Sequence, residues 1–132
     1  MYDAVVAGGN ISGLLAAREI AKNGHSVLVL EEGFEVGSPE HCGGLVSENA
    51  LKELGIEPSP KTFDSKVECA KIFSPEGKEI TINSKRQKII VINRRELDKQ
   101  AARQARYNGA EISVKTSFTK KNDNTIRTSN GN

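Results

Sequence analysis

A glycine-rich turn and one downstream carboxylate hold the first chemistry that residue type and spacing suggest. The stretch AGGNISG carries Gly8 and Gly13 at its two ends and Asn10 between them, and Glu31 follows 18 residues beyond Gly13. In such a turn the first glycine allows a tight exit from a strand and the second lets the backbone approach a pyrophosphate. The third lets helix and strand pack closely. Asn10 stands where the middle glycine would be; it tolerates unusual φ better than most residues, and its side chain is expected to point away from the phosphates. A carboxylate at Glu31 would accept hydrogen bonds from adenosine ribose hydroxyls and repel a 2′-phosphate, which favours FAD or NAD over NADP. The alternative is a βαβ unit whose glycines only shape a turn.

A second group lies in FEVGSPEHCGGLVS, where Cys42 sits between His41 and the pair Gly43–Gly44. Glycines there would let the chain lie close to a flat ligand, with a thiol beside it; a small, half-buried loop cysteine is the alternative. Neighbours in an extended segment point apart, so residues 41 and 42 are not expected to form a dyad. Arg94 and Arg95 open a later helix, where a cation is unfavourable unless it meets an anion. Cys69 alternates with Val67 and is expected in a core, and His25 is expected at the surface. Two cysteines are too few for a disulfide scaffold, and with two histidines they form no zinc pattern, so no metal is expected.

These residues need elements to position them. Residues 2–7 read as a buried strand, residues 8–13 as a turn, and residues 11–23 as a helix with Ile11, Leu14, Leu15 and Ile20 at helical spacing and Gly24 as its stop. SVLVL at 26–30 is a second buried strand, completing a βαβ unit of a parallel sheet. A loop is expected over 33–46, and a short helix over 47–54 capped by Ser47. Strands over 66–73 and 79–82 flank SPEGK as a hairpin, and KIIVI at 88–92 is a further strand. Asn93 and Glu96 have capping-box spacing before a helix that turns Leu97, Ala101, Ala102 and Ala105 inward. A last strand over 111–116 would make this second stretch β-α-β as well. The fold class is therefore α/β: a Rossmann-type FAD/NAD(P)-binding fold with a parallel sheet and a small β-hairpin insertion. One domain is expected over 1–119, with a polar, mobile tail over 120–132.

The 132 residues, 36% hydrophobic and 27% charged, suit a globular protein and argue against disorder. No apolar run approaches the ~18 residues that span a bilayer, and the N-terminus lacks signal-peptide character, so a cytoplasmic location is expected. Net charge is unevenly spread: residues 1–60 carry −6 and residues 61–132 carry +8. A basic half can attract phosphate groups or a lipid surface, while the ordinary reading is a solvated face. No basic run is interleaved with aromatics, so nucleic acid is not expected as a partner.

Three blocks together resemble the N-terminal part of the geranylgeranyl reductase family of flavoproteins, nearest to the archaeal digeranylgeranylglycerophospholipid reductases. They are YDAVVAGGNISGLLAAREIAKNGHSVLVLEE, EVGSPEHCGGLVS and VINRRELDKQAARQARYNGAEI. The first is shared with many two-dinucleotide-fold flavoproteins, and the Pro-x-x-Cys-Gly block narrows the choice. Members often have Arg where this chain has His41. The resemblance implies FAD, with Gly8, Ser12, Gly13 and Glu31 around its ADP half. It implies that Cys42, Gly43 and Leu45 lie near the flavin, with Cys42 a candidate catalytic participant, Arg94 near the cofactor and Phe118 near the adenine. The implied activity is FAD-dependent reduction of isoprenoid double bonds in lipids. A prenyl lipid substrate, an unidentified electron donor and a peripheral membrane contact follow as partners. Such flavoproteins run to two or three times this length, with a later Gly-Asp motif and a substrate domain, so the chain is expected to be a fragment or a shortened relative. Two rivals stand beside this reading: a flavin-dependent monooxygenase or halogenase, and a non-catalytic dinucleotide-binding module.

Overall fold

β1 (Ala4–Ala7) runs into a glycine turn and then α1 (Ile11–Lys22), which returns the chain to β2 (Val27–Leu30). β1 and β2 pair in parallel, Ala4 beside Val27 through Ala7 beside Leu30. That pairing requires a crossover, and α1 supplies it. This computed structural model describes residues 1–40, 42–83, 88–123 and 125–131. His41, read above beside Cys42, lies outside the described residues, as do positions 124 and 132 of the expected tail.

The other elements, in chain order, are β3 (Leu45–Ser47), α2 (Glu48–Glu53), β4 (Phe63–Val67), β5 (Cys69–Phe73), β6 (Glu79–Asn83) and β7 (Ile89–Ile92). They are followed by α3 (Arg94–Tyr107), β8 (Glu111–Ser113), β9 (Phe118–Asn122) and β10 (Thr125–Thr128). The chain divides into two compact units: Met1–His41 with Arg95–Asn132, and Cys42–Arg94.

In the first unit β2 lies between β1 and β8, parallel to both. Its residues Val27, Val29 and Leu30 are buried, as expected for the central strand of a covered parallel sheet. α1 buries Leu14, Ala17 and Ala21, a stripe at helical spacing. α3 buries Leu97, Asp98, Ala101, Ala102 and Ala105, so all four of its expected inward apolar positions are met. One cluster joins Leu14, Ala17, Val27 and Val29 to Ala101, Ala102 and Ala105. The alanines let the helix backbones approach the sheet closely, and α3 ends at Tyr107, two residues before Gly109, whose φ of +102° favours glycine.

In the second unit β7 is flanked antiparallel by β3 and β4, while β5 and β6 form a separate hairpin. Ser47 caps α2, its hydroxyl accepting the Ala50 N–H, as read from sequence.

Four expectations need correction. The stretch β7–α3–β8 is not a βαβ unit, because β7 belongs to the antiparallel sheet and β8 to the parallel one. The strand expected over 66–73 is two strands in different sheets, β4 ending at Val67 and β5 starting at Cys69. Cys69 is consequently exposed rather than buried, because β5 pairs only with β6 among the described residues. The loop expected over 33–46 ends early, as β3 begins at Leu45.

The boundary expected at 119/120 also meets a different backbone. β9 runs through it and pairs antiparallel with β10, Ile126 beside Lys121 and Arg127 beside Lys120, so much of the expected tail is a hairpin. Its strands set threonine, Phe118 and Ile126, which favour strands, among lysine, arginine and asparagine, so no hydrophobic alternation announces them.

Candidate functional site

Open parallel sheets place their ligand crevices beyond the carboxyl ends of the strands. Here those ends line a cleft of about 350 Å³. Ala7 and Gly8 come from the end of β1, Leu30, Glu31 and Glu32 from the end of β2, Asn10 from the start of α1, and Thr116, Ser117 and Phe118 from the stretch after β8. The volume falls in the usual range for small-molecule sites.

The glycine turn is closed by two polar side chains. Glu31 Oε2 accepts the Gly9 N–H at 2.7 Å, and Glu31 Oε1 accepts the Gly33 N–H at 2.7 Å. The carboxylate is thereby oriented by backbone donors on both sides, and each oxygen keeps a lone pair for another donor. Asn10 has φ −85° and ψ 176°, the extended geometry of a helix N-cap, so the unusual φ allowed for it is not used. Its Oδ1 accepts the Ser12 N–H at 3.1 Å and the Gly13 N–H at 3.2 Å. The expectation that this side chain turns away is thus corrected: it lies on the first free amides of α1, the groups that would otherwise face an anion.

Two glycines are sterically required. Gly8 has φ +108°, a region side chains rarely adopt, and a Cβ at Gly13 would stand 2.1 Å from the Gly8 carbonyl oxygen. The close helix–strand approach expected of the last glycine is therefore present.

The far wall is held by the C-terminal hairpin. Thr116 is buried; its N–H donates to the Glu31 carbonyl at 2.9 Å, and its Oγ1 accepts Asn130 Nδ2 at 3.0 Å. Ser117 donates its N–H to Ser129 Oγ at 3.0 Å. Phe118, expected near an adenine, lies in the same cleft and is 47% exposed. Sequence reasoning missed Glu32, Thr116 and Ser117 as lining residues; their adjacency to Glu31 and Phe118 was the available signal.

Among the described residues the lining carries two carboxylates, Glu31 and Glu32, and no cation. An acceptor-rich wall of this kind suits the hydroxyl donors of a ribose, while phosphate oxygens are better served by the backbone N–H groups of the turn. These residues fit a nucleotide.

The remaining predicted residues belong to the second unit. Cys42 is exposed and its Sγ accepts the Gly44 N–H at 3.4 Å. Gly43 has open space around its Cα, Leu45 is 63% exposed on β3, and Arg94 is partly buried at the start of α3.

The fold and the cleft define a dinucleotide-binding Rossmann-like domain, and the chain belongs to the NAD(P)-binding Rossmann-like domain family, matched over residues 6–73. Among characterised sequences it is similar to a digeranylgeranylglycerophospholipid reductase from Methanocella arvoryzae, 36% identical over 121 residues. That match takes in 89% of this chain and 31% of the relative. Among solved structures it resembles a geranylgeranyl bacteriochlorophyll reductase-like protein from Thermoplasma acidophilum, with a TM-score of 0.84 and 32% identity over 96% of this chain and 33% of that one. The resemblance read from the three sequence blocks is borne out. The chain spans about a third of the length of these relatives. A myxobacterial chondrochloren halogenase, an FAD-dependent enzyme, has a TM-score of 0.75 over 96% of this chain and 32% of its own, but at 17% identity the likeness is one of fold alone.

Proposed function

We propose that this chain binds the ADP portion of FAD, as the dinucleotide-binding segment of a flavoprotein that reduces isoprenoid double bonds in lipids. The observation that carries the nucleotide reading is the Glu31 carboxylate, fixed by the Gly9 and Gly33 amides and lining the cleft at the strand ends. Glu31 would accept the ribose hydroxyls, the first turn of α1 would face the pyrophosphate, and Phe118 would border the adenine. FAD bound here, once reduced by an external donor, would supply the hydride for a carbon–carbon double bond, with a proton from an acid completing the reduction.

The substrate class rests on the reductase relatives. So do a prenyl lipid substrate, a separate electron donor and a peripheral membrane contact; no described helix is long and apolar enough to cross a membrane. The roles of Cys42, Gly43, Leu45 and Arg94 beside the flavin rest on the same resemblance.

Titration of the purified chain with ADP and with FAD tests this reading, followed by flavin fluorescence and thermal stability. Saturable binding is expected, and Glu31→Gln should weaken it by about tenfold, as expected for lost charge-assisted hydrogen bonds to the ribose. Equal affinity in the variant, or a folded chain that binds neither ligand, would overturn it.

A further inference from the structure

Asn10 does more at this site than replace a glycine. Helix α1 begins with backbone N–H groups that have no partner within the helix. Those of Ser12 and Gly13 are both taken by Asn10 Oδ1, at 3.1 and 3.2 Å, and that of Gly9 is taken by Glu31. Three donors of the turn are therefore held internally, by one charged side chain and one neutral one.

Resting on the nucleotide reading above, we infer that Asn10 is an affinity-setting residue, an internal competitor that a pyrophosphate must displace from the Ser12 and Gly13 amides. The two capping side chains differ in how they can yield. Glu31 reaches the turn from β2 and also holds Gly33, so releasing it disturbs two segments. Asn10 is exposed, and its bonds to Ser12 and Gly13 reach only two and three residues along the same chain, so a rotation about its side-chain torsions frees both amides at once. What it leaves behind is a helix terminus with its dipole and donors directed at the incoming anion. A glycine at the same position would leave those amides to water, which an anion displaces more readily than an intramolecular acceptor. The competition acts only on the phosphate-bearing part of a ligand, because the ribose acceptor is Glu31.

The test compares ADP with adenosine, by calorimetric titration of the wild-type chain, Asn10→Gly and Asn10→Asp. Asn10→Gly is expected to bind ADP about twofold tighter, the scale of the small difference between an asparagine and a glycine N-cap. Asn10→Asp should bind ADP more weakly than wild type, since its carboxylate repels the phosphates. Adenosine affinity should be the same in all three. Glycine is nearly as good an N-cap as asparagine, so thermal midpoints should stay close and both variants should fold. As a second readout, the Ser12 and Gly13 amide resonances in wild type should move on adding ADP and stay in place on adding adenosine. ADP affinity unchanged in Asn10→Gly, with ADP binding intact, would overturn the role of Asn10 and leave the nucleotide reading standing. Failure of ADP and adenosine to bind any of the three folded chains would overturn both.

Discussion

The two compact units use their apolar residues differently. In Met1–His41 with Arg95–Asn132, a single cluster packs Leu14 and Ala17 of α1 and Ala101 and Ala105 of α3 against Val27 and Val29 of the parallel sheet. In Cys42–Arg94, Leu51, Ile56, Ile90 and Ile92 are buried, yet the β5–β6 hairpin leaves Ile72, Ile80 and Ile82 more than half exposed. The hairpin register puts Ile72 opposite Ile80 and Ala70 opposite Ile82, giving one apolar face. The other face carries Lys71 and Glu79, paired at 2.8 Å. A parallel pair cannot form without a crossover, so the βαβ unit brings its own cover, whereas a hairpin closes through a short turn and brings none. Apolar residues make strands in both units. They make a core only where a helix arrives with them.

The sharpest way to break this comparison is to place the same steric insult in each unit. A methyl group at Gly13 would stand 2.1 Å from the Gly8 carbonyl oxygen, and one at Gly44 would stand 2.1 Å from that of Ile92, where φ is also +73°. Gly13→Ala and Gly44→Ala should each destabilise the chain by about 4 kcal/mol in urea unfolding, at the upper end for overpacking against backbone. Under conditions where both remain folded, ADP binding should be lost only in Gly13→Ala. Loss in both would show that the cleft depends on the second unit as much as on the first.

Next in size is the contrast between covered and uncovered aliphatics. Leu14→Ala removes a side chain with no exposed surface and should cost about 3 kcal/mol. Ile80→Thr, at a residue 63% exposed, should stay within about 0.5 kcal/mol. A large loss at Ile80 would mean that the hairpin face is covered in solution.

The smallest effect is electrostatic and depends on pH. The Lys99 hydrogen bond, helped by the charges of Arg95 and Lys99, holds the Glu35 carboxyl below its ordinary value. A carboxyl lowered on folding adds stability that is present above its unfolded value and is lost as pH falls through the folded one. Glu35→Gln should therefore lower the thermal midpoint at neutral pH, and the gap to wild type should close on acidification below the ordinary glutamate range. The Lys71 hydrogen bond lowers Glu79 in the same way, but Glu79 only joins neighbours within the exposed hairpin. Glu79→Gln should shift the midpoint less than Glu35→Gln; equal shifts would remove the distinction between the units.

Much of the first unit was legible because its signals are local. SVLVL is an apolar run bounded by a glycine stop and two acids, and α1 carries its own periodicity, cap and stop. Gly8, Gly13, Glu31 and Phe118 are all legible in the sequence and its family resemblance; three of them line the cleft, and Gly13 packs against Gly8. The failures share a cause. Whether β7 pairs with β8 or with β3 and β4, and whether Cys69 faces a core or solvent, depends on partners far along the chain. Residue alternation reports that a strand exists and is silent about its neighbours.

The chain's sequence by itself therefore determined the βαβ start, the glycine turn and the acid at the end of β2, because each is written within a few adjacent turns or strands, and the kinship with digeranylgeranylglycerophospholipid reductases, because three blocks recur in order along the chain. Only the tertiary structure decided the division of the strands between a parallel and an antiparallel sheet, the hairpin built from the expected tail, and the wall it holds at Thr116 and Ser117. It also decided the position of Asn10. A side chain's hydrogen-bond partner is chosen by which donors the fold leaves unsatisfied, and here those are the first amides of α1.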